Sequence, residues 1–323
     1  MNENQLTPVY LELIQKLWSN NEGKSFEPYN FMNKINEMNP HFQKGQPGDS
    51  KDFIIYILDQ MHKELKKPIN LNNVNNSVLN KELNQYDKNN AFNHFFYDFQ
   101  QECSIISDVF FGISEITNEC QNCKKNYISK GLNNPICYNY QKFNCLIFPL
   151  EEVKNKKIKE NNNNNQINFN SVTLYDCFDY NQKSELFTGD NMNYCNLCKQ
   201  LYDSIYSTKI FSSPNVLVLI LNRGKGNIYN VKLDFTEIID ITQFVLKKDK
   251  PLMIYNLYGV ITHIGESGPN AHFLAACKSP VDNKWYKYND AMINPINDIQ
   301  KEVIDFGIPY ILFYHKNNYI DKY

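Results

Sequence analysis

The stretch Gly268–Asp290, GPNAHFLAACKSPVDNKWYKYND, decides how the rest of this chain is read. It divides into two short strands, Ala271–Lys278 and Lys284–Tyr288, joined at Ser279–Asn283, where Pro, Asp and Asn supply turn chemistry. Side chains alternate across a strand. Placing Lys278 opposite Trp285 therefore sets Asn289 across from position 274, one same-face step from His272. A slip of one residue puts the two on opposite faces. A histidine beside an Asn or Asp at the mouth of a hairpin supplies the base and the orienter of a nucleophile–base–orienter system. Taken alone, the hairpin has a plainer reading: a histidine that happens to lie near a strand end.

Working outward, 323 residues support a large core, as one extended domain or two ordinary ones. With 33 basic against 35 acidic residues the charge is nearly balanced and shows no strong asymmetry, which argues against a nucleic-acid footprint, since that would need a basic face. The 22 Tyr and 21 Phe exclude a disordered chain despite abundant Asn. The N-terminus lacks a charged start followed by an apolar run, and no apolar window reaches membrane-spanning length. The expectation is a soluble intracellular protein, cytoplasmic and/or nuclear, with neither nucleic acid nor membrane as partner. Nine cysteines in such a chain point to metal ligands and reduced thiols before disulfides.

Helical patterns come first. Thr7 with Pro8 opens a helix that places Tyr10, Leu13, Ile14, Leu17 and Trp18 on one face. A second helix is expected over Pro28–Met38, and a strongly amphipathic third begins at a cap on Asp49 or Ser50, with Phe53, Ile54, Ile57, Leu58, Met61 and Leu65 inward. Residues 67–90 read as a polar loop. From Phe110 the character turns to β, interrupted by the charged, Asn-rich run Glu151–Asn170, expected as a loop insertion, and by a helix within 171–190. The all-apolar run after Pro214, NVLVLILN, reads as a central strand covered on both faces, and Asn256–Ile264 and Tyr310–His315 add further strands. Helices first and strands later give an α+β plan.

Cys120/Cys123 and Cys195/Cys198 form two CxxC knuckles. Each aims two thiolates at one ion, and together they make the closed four-sulfur site that zinc prefers in structural sites. Two chance pairs, or a thioredoxin-like redox pair, are the other readings. Cys103, Cys137, Cys145, Cys177 and Cys277 have no such pairing and read as small buried apolar residues.

Taken in order, several blocks resemble the catalytic domain of the ubiquitin-specific proteases, a group of cysteine deubiquitinases. They are QPGDSKDFIIYILDQMHKEL, FFGISEITNECQNC, SVTLYDCFDYNQKSELFTGDNMNYCNLC, SPNVLVLILNR and YNLYGVITHIGESGPNAHFLAACKSPVDNKWYKYND. The resemblance runs from about Leu11 to His315. It implies a single domain over 1–323 with a papain-like hand: a helical thumb (about 1–100), β fingers and a connecting helix (about 101–212), and an antiparallel β palm carrying the histidine (about 213–323). It further implies one structural zinc ion at the finger tips, no catalytic cofactor, and ubiquitin or ubiquitinated proteins as partners. His272 matches the family's general base and Asn289 its orienter, with Asp290 a helper or alternative; an oxygen there accepts the imidazole Nδ1 proton. Asp49 matches an acidic residue that pairs with an arginine of ubiquitin's tail, Phe273 lines the channel for the terminal glycines, and Gly265–Asn270 forms a mobile loop over it.

One block is missing. The family's nucleophile sits in a Gly-Asn-x-Cys-Tyr-x-Asn box heading the first thumb helix, and this sequence contains no such box. Cys103 lacks a glycine-rich turn before it, and Cys277 lies five residues beyond His272, on the opposite face of one strand. Two expectations follow. Either the chain is N-terminally incomplete and its parent is a thiol-dependent deubiquitinase, the chain as written being inactive, or it is a ubiquitin-binding pseudoenzyme or scaffold.

Overall fold

In the computed structural model, the described residues are 5–19, 26–43, 48–67, 82–161, 171–223, 231–246, 252–265 and 272–317. Helices α1 (Thr7–Trp18), α2 (Tyr29–Met38), α3 (Ser50–Leu65), α4 (Lys88–Gln101) and α5 (Ile105–Phe110) lead into strand β1 (Gly112–Cys120). Helix α6 (Gln121–Ile128), strands β2 (Cys137–Phe143) and β3 (Leu146–Pro149), and helix α7 (Leu150–Asn161) follow. Next come β4 (Ser171–Thr173), α8 (Leu174–Asn181), β5 (Glu185–Phe187), β6 (Asn193–Cys195), β7 (Gln200–Tyr202) and β8 (Ser204–Ser212). The remainder is β: β9 (Val216–Asn222), β10 (Lys232–Asp234), β11 (Ile238–Asp240), β12 (Ile254–Ile264), β13 (His272–Lys278), β14 (Trp285–Asn289), β15 (Met292–Pro295) and β16 (Ile308–Lys316).

Strand β9 organises the molecule. It lies between β16 and β3 in a sheet ordered β15-β14-β13-β12-β16-β9-β3, with β11 paired on β12. Its side chains alternate between two cores. Leu217, Leu219 and Leu221 enter a large core with Phe148, Leu150, Val153, Cys177 and Phe178. Val216, Val218 and Ile220 face the helical lobe, where Ile54 and Ile55 of α3 and Val109 and Phe110 of α5 meet Ile311. An all-apolar strand is what burial on both faces requires. The sheet is antiparallel except where β3 runs parallel to β9. The long excursion between those two strands, which includes the Cys195/Cys198 knuckle, provides the crossover that a parallel pair needs.

The helical lobe has its own core of Leu6, Phe31, Ile35, Leu58, Met61 and Ile106. Asp49 caps α3, its Oδ1 accepting from Lys51 N at 2.8 Å. Thr7, expected as the cap of α1, lies inside the first turn instead. The orphan N–H groups of that turn are taken by Glu64 of α3, which accepts from Leu6 N and Thr7 N at 2.8 Å each.

Two expected loops contain helices. The run 67–90 gives way at Lys88 to α4, capped by Asp87 and laid with Phe92 and Phe95 against Tyr140 of β2. The charged run from Glu151 is helical through Asn161, because Leu150 and Val153 are buried in the main core and Lys157 donates to Asp176 Oδ2 of α8 at 2.7 Å. Charge on the outer face hides such a helix from composition alone. Residues 162–170, like 266–270 of the expected loop over the channel, lie outside the described residues. Strands β2-β1-β8-β5 form a second, antiparallel sheet that carries the knuckles at its far end.

Candidate functional site

The hairpin that opened the reading is β13–β14, with the register Lys278↔Trp285 through Ala275↔Tyr288. Continuing that register brings Asn289 beside Leu274 and within reach of His272, whose Nε2 lies 2.7 Å from Asn289 Oδ1. An amide oxygen only accepts, so the ring proton sits on Nε2 and Nδ1 keeps its lone pair. This corrects the expectation that Nδ1 would face the orienter: Nε2 does, which leaves Nδ1 as the basic nitrogen. Asp290 follows in the two-residue turn between β14 and β15, with φ +50°. That turn swings its carboxylate outward, 82% exposed, and Oδ2 stops 3.8 Å from His272 Nε2. Asn289 is the direct partner and Asp290 a more distant charge.

Asp49 holds two partners at once. While Oδ1 caps α3, Oδ2 accepts from the Tyr310 hydroxyl at 2.9 Å, with Lys51 Nζ 3.7 Å away. Tyr310 also packs on Phe273, their rings 5.4 Å apart, and Phe273 meets His263 edge-on at 5.2 Å. Asp49 and Phe273 open into one cavity of about 410 Å³, lined also by Tyr29, Met32, Phe42 and Phe53. The two predicted substrate contacts are thus brought together, and β13 carries His272 and Phe273 on opposite faces. Tyr310, which ties Asp49 to the strand layer, was not foreseen. It lies 261 residues from Asp49, and nothing local in IPYILFYH marks it.

Neither Cys103 nor Cys277 has the surroundings of an activated thiol. Burial pushes the Cys277 thiol up to about 11, and its side chain lies on the opposite face of β13 from His272. Burial, followed by the charge of Asp108, raises Cys103, whose Sγ points at Phe99 O at 3.6 Å. Cys145 and Cys177 are likewise raised by burial, to about 11 and about 12.

The knuckles meet. Cys120, Cys123, Cys195 and Cys198 bring their sulfurs within 4.8 Å of one another, with Cys123 3.6 Å from Cys195 and 3.3 Å from Cys198, and Cys120 4.0 Å from Cys198. Four thiolates around a tetrahedral ion at about 2.3 Å stand about 3.8 Å apart, so the set fits a closed four-sulfur site. One knuckle is the β6–β7 turn, where Lys199 takes φ +57° and donates its N–H to Cys195 O; the other is the start of α6. Burial opposes ionisation of Cys195, but the N–H groups of Cys198 and Leu197 bring it down to about 7. A buried cluster of thiols with one already biased toward thiolate is chemistry for a metal ion.

The sequence profile described as ubiquitin carboxyl-terminal hydrolase matches residues 1–314. The chain belongs to this family. Family members include ubiquitin carboxyl-terminal hydrolase 2 of Gallus gallus, 26% identical over 315 residues, 96% of this chain and 79% of the relative. The Bos taurus and Homo sapiens proteins of that name are each 25% identical over 96% of this chain, which spans 47% of their length. Among solved structures, the yeast SAGA DUB module with a mutant Sgf73 aligns over 97% of this chain and 58% of its own, with TM-score 0.62 and 22% identity. The SAGA Ubp8/Sgf11/Sus1/Sgf73 module bound to ubiquitin aldehyde aligns over 90% and 54%, with TM-score 0.57 and 21% identity. The fold of the family member described here is accordingly the α+β, papain-like hand of these deubiquitinases.

Proposed function

We propose that this ubiquitin carboxyl-terminal hydrolase domain binds the C-terminal tail of ubiquitin or of ubiquitinated proteins and presents His272 as general base for thiol-dependent hydrolysis of the bond after ubiquitin's last glycine. The observation that carries this reading is the 2.7 Å contact between His272 Nε2 and Asn289 Oδ1. Asn289 fixes the tautomer and points Nδ1 away from itself, where a thiol can give up its proton; the resulting imidazolium returns that proton to the leaving amine. Asp290, with Oδ2 3.8 Å from His272 Nε2, stands by as a helper or alternative partner. Asp49 recruits an arginine of the tail through the carboxylate edge that Tyr310 orients, and Phe273 borders the path of the terminal glycines. The four cysteines hold one structural zinc ion, and the hydrolysis needs no further cofactor.

The nucleophile is not carried by a Gly-Asn-x-Cys-Tyr box within these 323 residues. A second reading, a ubiquitin-binding pseudoenzyme or scaffold, is favoured by that sequence fact and by the raised thiols of Cys103 and Cys277. Both readings require tail recognition. Calorimetric titration of the chain with ubiquitin, and with ubiquitin lacking its C-terminal tail, tests it: binding that depends on the tail is expected, and equal or absent binding contradicts both readings. A fluorogenic ubiquitin substrate presented to the gene product, with all coding sequence upstream of Met1 included, separates them.

A further inference from the structure

Of the 33 basic side chains in the sequence, only Arg223 is an arginine. It follows directly on β9 and is buried, 3% exposed. Its guanidinium turns into the strand layer, where Nε donates to Pro309 O at 2.9 Å and Nη1 donates to Val231 O. A lysine ammonium is a single point charge. The planar arginine fork holds its donors at fixed angles, so one side chain can grip two carbonyls at once.

Pro309 sits where β16 breaks its ladders. Against β9 the pairing runs from His315↔Val216 to Ile311↔Ile220, and Pro309, two residues further on, has no N–H with which to extend it. Against β12 the register passes from Ile261↔Ile311 straight to Thr262↔Pro309. Tyr310 is therefore the extra residue of a β-bulge, and a bulge re-aims the side chain it carries. The aim here is at Asp49, whose Oδ2 accepts from the Tyr310 hydroxyl at 2.9 Å. The bulge is held from two sides. On the β12 side Gly307, at φ +61°, lies so close that a Cβ there would stand 2.6 Å from Thr262 Cγ2. On the β9 side Arg223 holds Pro309 O. We propose that Arg223 is a positioning residue of the tail site: it clamps the bulge that aims Tyr310 at Asp49, and so fixes the carboxylate edge offered to ubiquitin's tail. The inference rests on the reading of Asp49 as a partner of that tail.

The test is calorimetric titration of the whole chain with ubiquitin and with ubiquitin lacking its C-terminal tail. Wild type is compared with Arg223→Lys, Tyr310→Phe, the double variant and Tyr314→Phe. Tyr314 lies on the same strand, but its hydroxyl donates to Thr236 O at 2.6 Å and its ring belongs to the main core. Arg223→Lys and Tyr310→Phe should each weaken tail-dependent binding by about fivefold. The double variant should stay within about twofold of Tyr310→Phe, because both changes act on one contact. Tyr314→Phe should bind as wild type does, and no variant should alter binding of the tail-less protein. Arg223→Gln, uncharged and with an amide to donate, is measured alongside with the same expected loss, so that a lysine variant unable to fold still leaves a result. Either Arg223 variant, folded and within twofold of wild type, overturns the inference, as do losses that multiply in the double variant; an affinity still lost in Asp49→Asn then leaves the tail reading standing. Wild type that binds ubiquitin equally with and without its tail removes the tail reading itself, and the inference with it, before any substitution is made.

Discussion

His272 and Asn289 meet through Nε2 and Oδ1 at 2.7 Å, across two strands whose pairing is fixed four rungs away at Lys278 and Trp285. Trp285 is buried in the main core, so the register that aligns the pair is set by packing at the closed end of the hairpin rather than by the pair itself. Asn289→Ala removes the acceptor and frees the imidazole to rotate and to change tautomer. In any form of the protein that hydrolyses ubiquitin conjugates, kcat should fall by roughly 10²-fold with KM little changed, while Asn289→Asp, which still accepts from Nε2, should stay within about tenfold of wild type. Steady-state kinetics on a fluorogenic ubiquitin substrate checks both.

Asp49 combines a structural and a recognition role on separate oxygens, and one substitution separates them. Asp49→Asn keeps an oxygen to cap α3, so unfolding free energy should change by less than about 0.5 kcal/mol. It removes the charge that would meet an arginine, so affinity for ubiquitin should drop by about tenfold or more. Asp49→Ala should lose the affinity and also about 1 kcal/mol of stability. Urea denaturation and calorimetric titration read the two effects independently.

Acid should destabilise the helical lobe through His62. Its ring is buried, with Nδ1 2.8 Å from Ser104 Oγ. Burial first, and then the charges of Lys142 and Lys66, hold its pKa down to about 4. Because the folded value lies below the ordinary 6.5, the unfolded chain takes up a proton between pH 6.5 and about 4 that the folded chain refuses. This contribution to stability is complete above pH 6.5 and is lost as pH falls through that window, about 2 kcal/mol by pH 5. His62→Gln should flatten the dependence, as measured by urea midpoints at pH 7 and pH 5.

The hairpin was legible in the sequence because its register follows from alternation and a short turn, both local properties. The knuckles were legible for the same reason, since each needs only two cysteines three positions apart. The run NVLVLILN declared its burial on both faces by having no polar side to show. What stayed hidden depends on distant partners. α7 is held by Leu150 and Val153 beneath a charged exterior, and Glu64 caps a helix 57 residues away. Tyr310 finds Asp49 only once β16 lies beside the helical lobe. The choice of Nε2 over Nδ1 at His272 is a matter of side-chain rotation that no spacing encodes.

The central claim is that His272, held by Asn289, serves as the base of a ubiquitin hydrolase. Its most direct test is kcat/KM for a fluorogenic ubiquitin substrate, measured on the gene product with all coding sequence upstream of Met1, for wild type and His272→Ala, with ubiquitin affinity measured in parallel. The account predicts hydrolysis by wild type and a loss of 10²-fold or more in His272→Ala at unchanged affinity. Hydrolysis undiminished in His272→Ala, or a wild-type protein that binds ubiquitin and never cleaves the substrate, would contradict it.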